Sequence, residues 1–253
     1  VNIFFTTAMN AARGVAVQLN GAVQGFVTNF MTAVNPQITK SYASGERDYM
    51  LSLVKKSSRM AFFLLFIIAL PMLFNTEYLL EIWLKKVPEH SASFVRLFLI
   101  FALSESLSSP LITAQLATGN IRNYQIIVGG LQLLNLPVSH MFLKYGAPAQ
   151  TTVAVSIVIS QICLVARLLL LKKMVGLSPK EFFAQVYIKV CAVAATSLVF
   201  PLLLASLMPE GFAGFCASVL LCVICAGVSI FYIGCTRGER QEIVSMILNK
   251  IGR

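Results

Sequence analysis

Apolar residues fill seven segments of the chain, and each segment is about as long as one membrane crossing. A bilayer core about 30 Å thick needs about 20 helical residues to cross it, because backbone polar groups in lipid must be satisfied within a helix. The pattern predicts an all-α, polytopic transmembrane helix bundle. Residues 1–7 are expected to end a preceding transmembrane helix, which would make the chain a fragment. The predicted crossings are 14–35, 59–75, 94–118, 124–142, 151–171, 186–207 and 211–235.

Lysine and arginine residues alternate between the two sides of this predicted bundle. Of the 20 in the chain, 15 follow the odd-numbered crossings and 5 lie on the opposite side. Cytoplasmic loops retain positive charge, so the C-terminal tail and the loops at 37–58, 119–123 and 172–185 are predicted to be cytoplasmic. The net charge of +10 is explained by this topology and by anionic lipid headgroups, not by nucleic-acid binding.

Composition argues against a soluble domain and against an enzyme. The chain is 57% hydrophobic and only 12% charged, which no ordinary soluble domain matches. His90 and His140 are isolated, and no H-E-x-x-H, Walker or G-x-S-x-G motif is present. The six cysteines lie in or at the ends of the last three crossings, where we interpret them as packed or lipid-facing. We therefore expect no catalysis, no metal site and no cofactor.

The first crossing carries a polar face. Asn20, Gln24 and Thr28 are spaced four residues apart and form one stripe, which Asn29 and nearby polar and small residues widen. Such a face is costly against lipid. It predicts either packing against neighbouring helices or the lining of a water-filled cavity.

The third crossing contains Glu105, the only acidic residue deep in any predicted span. An intramembrane carboxylate predicts a functional site by default, although a hydrogen-bonded structural role stays open. Arg96 precedes it by about 13 Å along the helix, so the two do not pair within one helix. Arg13 opens the polar first crossing and is a candidate phosphate contact, with a snorkelling arginine as the alternative. The candidate substrate-binding residues are Arg13, Asn20, Gln24, Asn29, Arg96, Glu105 and Gln115.

Local motifs predict several helix ends. Ser178, Pro179 and Glu181 form a capping box with proline at the first helical position, which should start a short interfacial helix at 182–187. Residues 239–251 are predicted to form an amphipathic helix on the cytoplasmic surface through Ile243, Met246, Ile247 and Ile251. Prolines inside crossings predict kinks or hinges: Pro71, Pro110, Pro137 and Pro201.

Several stretches resemble the polysaccharide transporters of the multidrug/oligosaccharidyl-lipid/polysaccharide exporter superfamily, and more narrowly the O-antigen, lipopolysaccharide-type flippases. The resemblance is carried by Asn-Ala-Ala-Arg-Gly at 10–14, Gln-Leu-Asn-Gly at 18–21, Ala-Val-Asn-Pro-Gln-Ile-Thr-Lys-Ser-Tyr-Ala at 33–43, Gly-Glu at 45–46, Glu-Ile-Trp-Leu at 81–84 and Pro-Leu-Ile-Thr-Ala-Gln-Leu-Ala-Thr-Gly at 110–119. It runs over nearly the whole chain and is strongest in residues 9–145.

The resemblance implies a MATE-like transporter of two six-helix lobes and two accessory helices. This chain would supply the C-terminal lobe at 8–171, the accessory helices at 172–235 and a cytoplasmic tail at 236–253. The implied function is translocation of undecaprenyl-pyrophosphate-linked oligosaccharide across the bacterial inner membrane by alternating access. The implied partners are the lipid-linked oligosaccharide, membrane lipid and an N-terminal lobe of the same protein, with no nucleic acid.

Other classes stay open. A multidrug/cation antiporter of the same superfamily would need intramembrane carboxylates, for which Glu105 is the one candidate. A non-transport membrane protein of envelope synthesis, such as a polymerase or acyltransferase, would need a large catalytic loop, and the loops here are short. A purely structural subunit is a further alternative.

Overall fold

The computed structural model describes residues 7–204 and 211–251, apart from the side chains of Ile243 and residues 246–251. Every regular element in those ranges is a helix. The predicted stub at residues 1–7 lies outside them except for Thr7. The helices are α1 (Thr7–Ala43), α2 (Arg47–Phe74), α3 (Thr76–Trp83), α4 (Ser91–Ser106), α5 (Ser109–Ala117), α6 (Arg122–Leu133), α7 (Asn135–Lys144), α8 (Thr151–Val175), α9 (Pro179–Phe182), α10 (Ile188–Leu204), α11 (Phe212–Ser229) and α12 (Arg237–Ile251).

Among the described residues, six helical segments are long and apolar enough to cross a membrane, so the chain is a multi-pass membrane protein by length and composition. They are Arg47–Phe74, Ser91–Ala117, Arg122–Lys144, Thr151–Val175, Pro179–Leu204 and Phe212–Gly234. They correspond to six of the seven predicted crossings, and the first predicted crossing, 14–35, lies within α1. α1 has 37 residues, about 55 Å of helix, which is long enough to cross. It is not among the six apolar segments because it carries many polar residues.

Helices extend further than the sequence pattern predicted. The predicted loop at 37–58 is mostly helical, because α1 continues to Ala43 and α2 already begins at Arg47. The cap at Ser178 is confirmed, since the Glu181 backbone N–H donates to Ser178 Oγ at 3.4 Å, whereas the Glu181 carboxylate pairs with Lys55. Residues 182–187 are helical, as predicted, and lead directly into the next crossing. A π-helical segment, Phe183–Tyr187, joins α9 to α10 without a break.

Two crossings are interrupted shortly before a proline. The break between α4 and α5 falls at Leu107 and Ser108, ahead of Pro110, and the break between α6 and α7 falls at Leu134, ahead of Pro137. Proline has no N–H to donate to the carbonyl four residues earlier, and its ring clashes there. The helical hydrogen-bond pattern is therefore interrupted near these two prolines, whereas α2 runs unbroken past Pro71 and α10 past Pro201.

α1, α2 and α4 pack against one another around a continuous apolar core, and α8 joins them through α4. The crossings Arg122–Lys144 and Phe212–Gly234 are each only 11% buried in their most apolar window. The expectation that the last crossing faces lipid fits this exposure, but the fourth crossing is equally exposed. α11 also packs on α2 and α10.

Ion pairs gather at one end of the bundle. Arg59 of α2, 5% exposed, donates to Glu239 of α12 at 2.6 Å. Exposed pairs beside it join Lys55 to Glu181 at 3.0 Å and Lys56 to Glu242 at 3.2 Å. Arg59 is one of the 15 basic residues that the charge count placed on the cytoplasmic side, at the start of a predicted crossing, and the structure places it well inside α2 in a buried position. The tail helix exists, but the four apolar side chains predicted to face the membrane lie outside the described side chains.

Candidate functional site

Polar side chains form a seam between the α4–α5 crossing and α8, in an otherwise apolar bundle. Ser104 Oγ lies 3.3 Å from Ser160 Oγ and accepts a hydrogen bond from Gln161 Nε2. Further along both helices, Arg167 Nη1 donates to Ser108 Oγ at 3.0 Å. The partners advance in the same direction on both helices, so the two crossings run parallel. We call these residues, with Glu105, the polar seam.

Glu105 lies in the polar seam and is half-buried. Its Oε1 accepts a hydrogen bond from the Ser160 hydroxyl, and none of the ion pairs among the described residues includes it. A hydroxyl stabilises a carboxylate in lipid only in part, because an ionised group there is costly without a counter-charge. The hydrogen-bonded structural role foreseen for Glu105 thus has a partner.

Arg167 is the functional candidate that the sequence analysis missed. The charge count placed it among the 15 basic residues of the cytoplasmic side, yet it is 2% exposed and its Nε has no hydrogen-bond partner among the described residues. Eight residues separate it from the end of α8 at Val175, about 12 Å along the axis. The available clue was that Arg167 lies seven residues after Ser160, on the same face of an apolar helix.

A cavity of about 200 Å³ opens beside the polar seam, among α4, α6, α7 and α8. Asn135 Nδ2 donates to Ser156 Oγ at 2.7 Å on its wall, and Ser139 Oγ donates to Asn135 Oδ1 at 3.0 Å. At about 30 Å³ per water, this volume holds about six waters and cannot hold an oligosaccharide. Its lining is Phe101, Glu105, Gln132, Asn135, Ser156, Ile159 and Ser160.

The polar seam reaches the π-helical segment that follows α9. Tyr187 OH donates to Gln161 Oε1 at 2.9 Å. A π-helical insertion often marks a functional position in a helix. Here it places Tyr187 where a hydrogen-bonded series of side chains joins α4, α8 and the π-helical segment.

The polar face predicted on α1 points away from the bundle. Asn29, Thr28 and Thr32 are exposed, and both threonines donate to carbonyls of their own helix at 3.1 and 2.9 Å. Gln24 is half-buried, and Asn20 has a buried Oδ1 with no partner in the described chain. The outward part of the face is therefore at Thr28, Asn29 and Thr32. The face also packs inward at its end, where Thr113 donates to Asn35 Oδ1 at 2.7 Å.

The remaining predicted residues lie apart from the polar cavity. Arg13 is half-buried near the start of α1. Arg96 is exposed and donates to Glu77 at 3.2 Å. Gln115 is 0% exposed, and neither of its amide atoms has a partner within the described ranges. Of the predicted set, only Glu105 lines the cavity.

An open apolar groove of about 700 Å³ runs between α1, α3 and α11. Gln18 lies at its edge and is also part of the exposed side of α1. The groove therefore adjoins the polar face. Its lining residues are Gln18, Leu19, Ala22, Leu79, Ile82, Trp83, Phe212 and Phe215.

Comparison with protein-family models, curated proteins and solved structures finds no match for this chain.

Proposed function

We propose that this chain is one lobe of a membrane transporter that moves an amphiphilic, lipid-linked oligosaccharide between the leaflets of the bacterial inner membrane. The observation that carries the proposal is the exposed polar face of α1 in a bundle with six apolar crossings. A polar surface turned out of a membrane bundle is costly unless it meets water or another protein. A cavity between two lobes, filled with water or with the sugar, would provide hydrogen-bond partners for this face.

The groove next to that face fits the other part of such a substrate. A polyprenyl chain is apolar throughout, whereas its oligosaccharide carries hydroxyls that hydrogen-bond to amide and hydroxyl side chains. Gln18 stands where the groove and the polar face meet. The sugar would lie along α1 while the lipid tail stays between α1, α3 and α11, in contact with the bilayer.

Alternating access supplies the mechanism. A second lobe would face α1, and the resemblance assigns it to an N-terminal half of the same polypeptide. Rocking of two lobes exposes a central site to each leaflet in turn. The interruptions before Pro110 and Pro137 give two crossings a place to bend. The proposal puts the C-terminus in the cytoplasm and requires no enzymatic step and no cofactor.

A double variant on α1 and a control variant on α10 test the polar face in the full-length protein. Thr28 of α1 and Thr196 of α10 are both exposed, and each hydroxyl donates to the carbonyl four residues earlier. We expect Thr28→Val combined with Asn29→Leu to lower surface glycan export several-fold at normal membrane abundance. Thr196→Val should leave export unchanged. Normal export in the α1 double variant would contradict the proposal.

The cavity at Glu105 favours a second candidate, a multidrug/cation antiporter. One carboxylate and neighbouring hydroxyl and amide oxygens are ligands that hard cations accept, and the volume of about 200 Å³ suits a small cation with water. Rescue of drug resistance in an efflux-deficient strain, with no effect on glycan export, would select this candidate over the flippase.

A further inference from the structure

We propose that Arg167 and Glu105 form an intramembrane ion pair in a second state of the protein, reached when Arg167 leaves Ser108. This inference rests on the proposed transport function, because it assigns the second state to the transport cycle. Arg167 is then a positioning residue that sets how the α4–α5 crossing sits against α8.

The geometry places the two charges on neighbouring levels of the polar seam. Ser108 follows Glu105 by three residues and so shares its side of the crossing, about 4.5 Å further along. Arg167 follows Ser160, the partner of Glu105, by seven residues, about 10.5 Å. Side chains on a helix lean toward its N-terminus. Arg167 therefore reaches back along α8 to meet Ser108, which leaves its guanidinium about one helical turn from the carboxylate.

Neither charge is fully satisfied in the described state. Arg167 has one hydrogen bond to a neutral hydroxyl, and its buried Nε has no partner among the described residues. Glu105 accepts from a neutral hydroxyl on Oε1. Two opposite charges left unpaired this close together in a low-dielectric interior attract each other strongly.

The crossing can supply the necessary movement at its break. α4 ends at Ser106 and α5 begins at Ser109, so the residue that holds Arg167 sits inside the interruption itself. Pro110 cannot donate to the Ser106 carbonyl, which leaves this turn without one of its helical hydrogen bonds. A change in the bend at Leu107 and Ser108 moves Ser108 away from Arg167 and leaves Glu105 as the next acceptor along the crossing.

A charge-neutralisation cycle in the full-length protein tests the pair. The variants are Glu105→Gln, Arg167→Gln and the double variant, and the readouts are glycan export, membrane abundance and thermal stability in detergent. Each single variant leaves one unpaired charge in the membrane, so we expect export to fall at least about 10-fold. The double variant leaves none, and we expect its export to recover to within about 3-fold of wild type.

Two further variants separate charge from shape. Arg167→Lys keeps the positive charge and should retain more export than Arg167→Gln. The exposed pair of Lys56 and Glu242 provides the control. Neutralising either residue of that pair, or both together, should change export by less than about 2-fold, because exposed ion pairs contribute little to stability.

The outcomes distinguish this inference from the proposed function. A double variant whose export equals the product of the two single effects shows independent roles and overturns the pair, as does full export by Glu105→Gln. If the wild-type protein exports no glycan, the proposed function fails. Thermal stability then decides whether the ion pair exists. A double variant more stable than either single variant supports the pair, and additive losses of stability reject it.

Discussion

Glu239 of the tail helix offers the sharpest test of how the chain is held together at its charged end. Both partners of the Arg59–Glu239 pair are nearly inaccessible, at 5% and 8% exposure, and their atoms lie 2.6 Å apart. Glu239 also closes a capping box, because Oε2 accepts from the Thr236 N–H at 2.7 Å and its own N–H donates to Thr236 Oγ1 at 3.4 Å. Glu239→Gln keeps one oxygen that can accept from the Thr236 N–H, since glutamine serves in the same position, and places an amide NH2 where the carboxylate oxygen accepted from Arg59. The substitution therefore keeps the cap and removes the ion pair.

The expected cost follows from the burial. Removing one partner of a buried pair typically costs 3–5 kcal/mol, because the other charge stays buried and uncompensated: here we expect about 3 kcal/mol. The lower figure applies because Arg59 keeps a hydrogen bond to the Gln185 carbonyl at 3.1 Å. This cost shifts the docking equilibrium of α12 on the order of 100-fold toward release. Glu242→Gln is the matched control, since its pair with Lys56 is exposed and worth less than about 1 kcal/mol.

Limited trypsin digestion measures the docking. Cleavage after Arg240 requires release of its side chain, which donates to the carbonyls of Tyr232 at 2.8 Å and Cys235 at 3.3 Å. We expect Glu239→Gln to accelerate this cleavage strongly and Glu242→Gln to leave it nearly unchanged. Equal protection in wild type and Glu239→Gln would refute the argument that the buried charge holds the tail.

Acid should mimic the same substitution. Burial acts to raise the pKa of Glu239, but the hydrogen bond from the Thr236 N–H and the Arg59 charge outweigh it and hold the pKa below its usual value. A carboxyl group with a lowered pKa stabilises the docked tail above its unfolded pKa, and this contribution is lost as the pH falls through the docked pKa. Because trypsin is inactive in acid, amide hydrogen exchange of α12 is the measurement here. Wild-type protection should persist to about pH 4 and disappear below it, whereas Glu239→Gln should show no such transition.

Three further predictions concern packing, bending and the candidate phosphate contact. In a thermal-shift assay, Gly234→Ala should destabilise the protein by about 1–3 kcal/mol, because the new Cβ would lie 2.7 Å from the Phe63 ring. Gly227→Ala is the control and should be neutral, because its Cβ meets nothing within 4 Å. Pro110→Ala restores the N–H that can pair with the Ser106 carbonyl, so export should fall several-fold without loss of thermal stability. Pro36→Ala, in the unbroken and exposed part of α1, is the control. Normal export by Pro110→Ala would contradict a role for the break. Arg13→Ala should lower glycan export and Arg13→Lys should restore it only in part if the guanidinium binds phosphate at two points, while normal export by the alanine variant would leave Arg13 as a snorkelling residue.

The sequence predicts helix content and helix ends well where the cause is local. The Ser178 cap depends on a hydroxyl and an N–H three residues apart, and the break at Pro110 depends on one absent N–H. Both causes are visible in a few adjacent residues. The same pattern, Thr236 followed by Glu239, marks the start of α12, and the sequence analysis overlooked it.

The positions of Arg59 and Arg167 could not be predicted in the same way. Both lie within a few turns of a helix end, where a basic residue normally extends toward water and counts as part of a loop. What buries them is a partner far away in the chain: Glu239 for Arg59 and Ser108 for Arg167. A single sequence carries no information on such pairs, so a count of charges by loop assigns both residues to the surface.

The polar residues of this bundle divide into two kinds, and the division bears directly on function. Those between α4 and α8 bond mainly to one another, as Ser160 does to Glu105. They enclose a cavity of about 200 Å³ that is too small for a sugar chain. On α1, by contrast, Thr28, Asn29 and Thr32 are turned outward, and both threonine hydroxyls donate to carbonyls of their own helix.

These two kinds of polar surface assign separate tasks to the two parts of the bundle. The inner polar seam is suited to small charges and to switching between hydrogen-bond partners, because its groups are few, close together and shielded from water. The outer face is suited to a large polar ligand or a second lobe, because nothing in the described chain covers it. A protein that binds a bulky amphiphile on α1 and changes state at Glu105 and Arg167 needs both. If the proposed function holds, the variants at Thr28 and at Arg167 probe two separate steps, binding and conformational change.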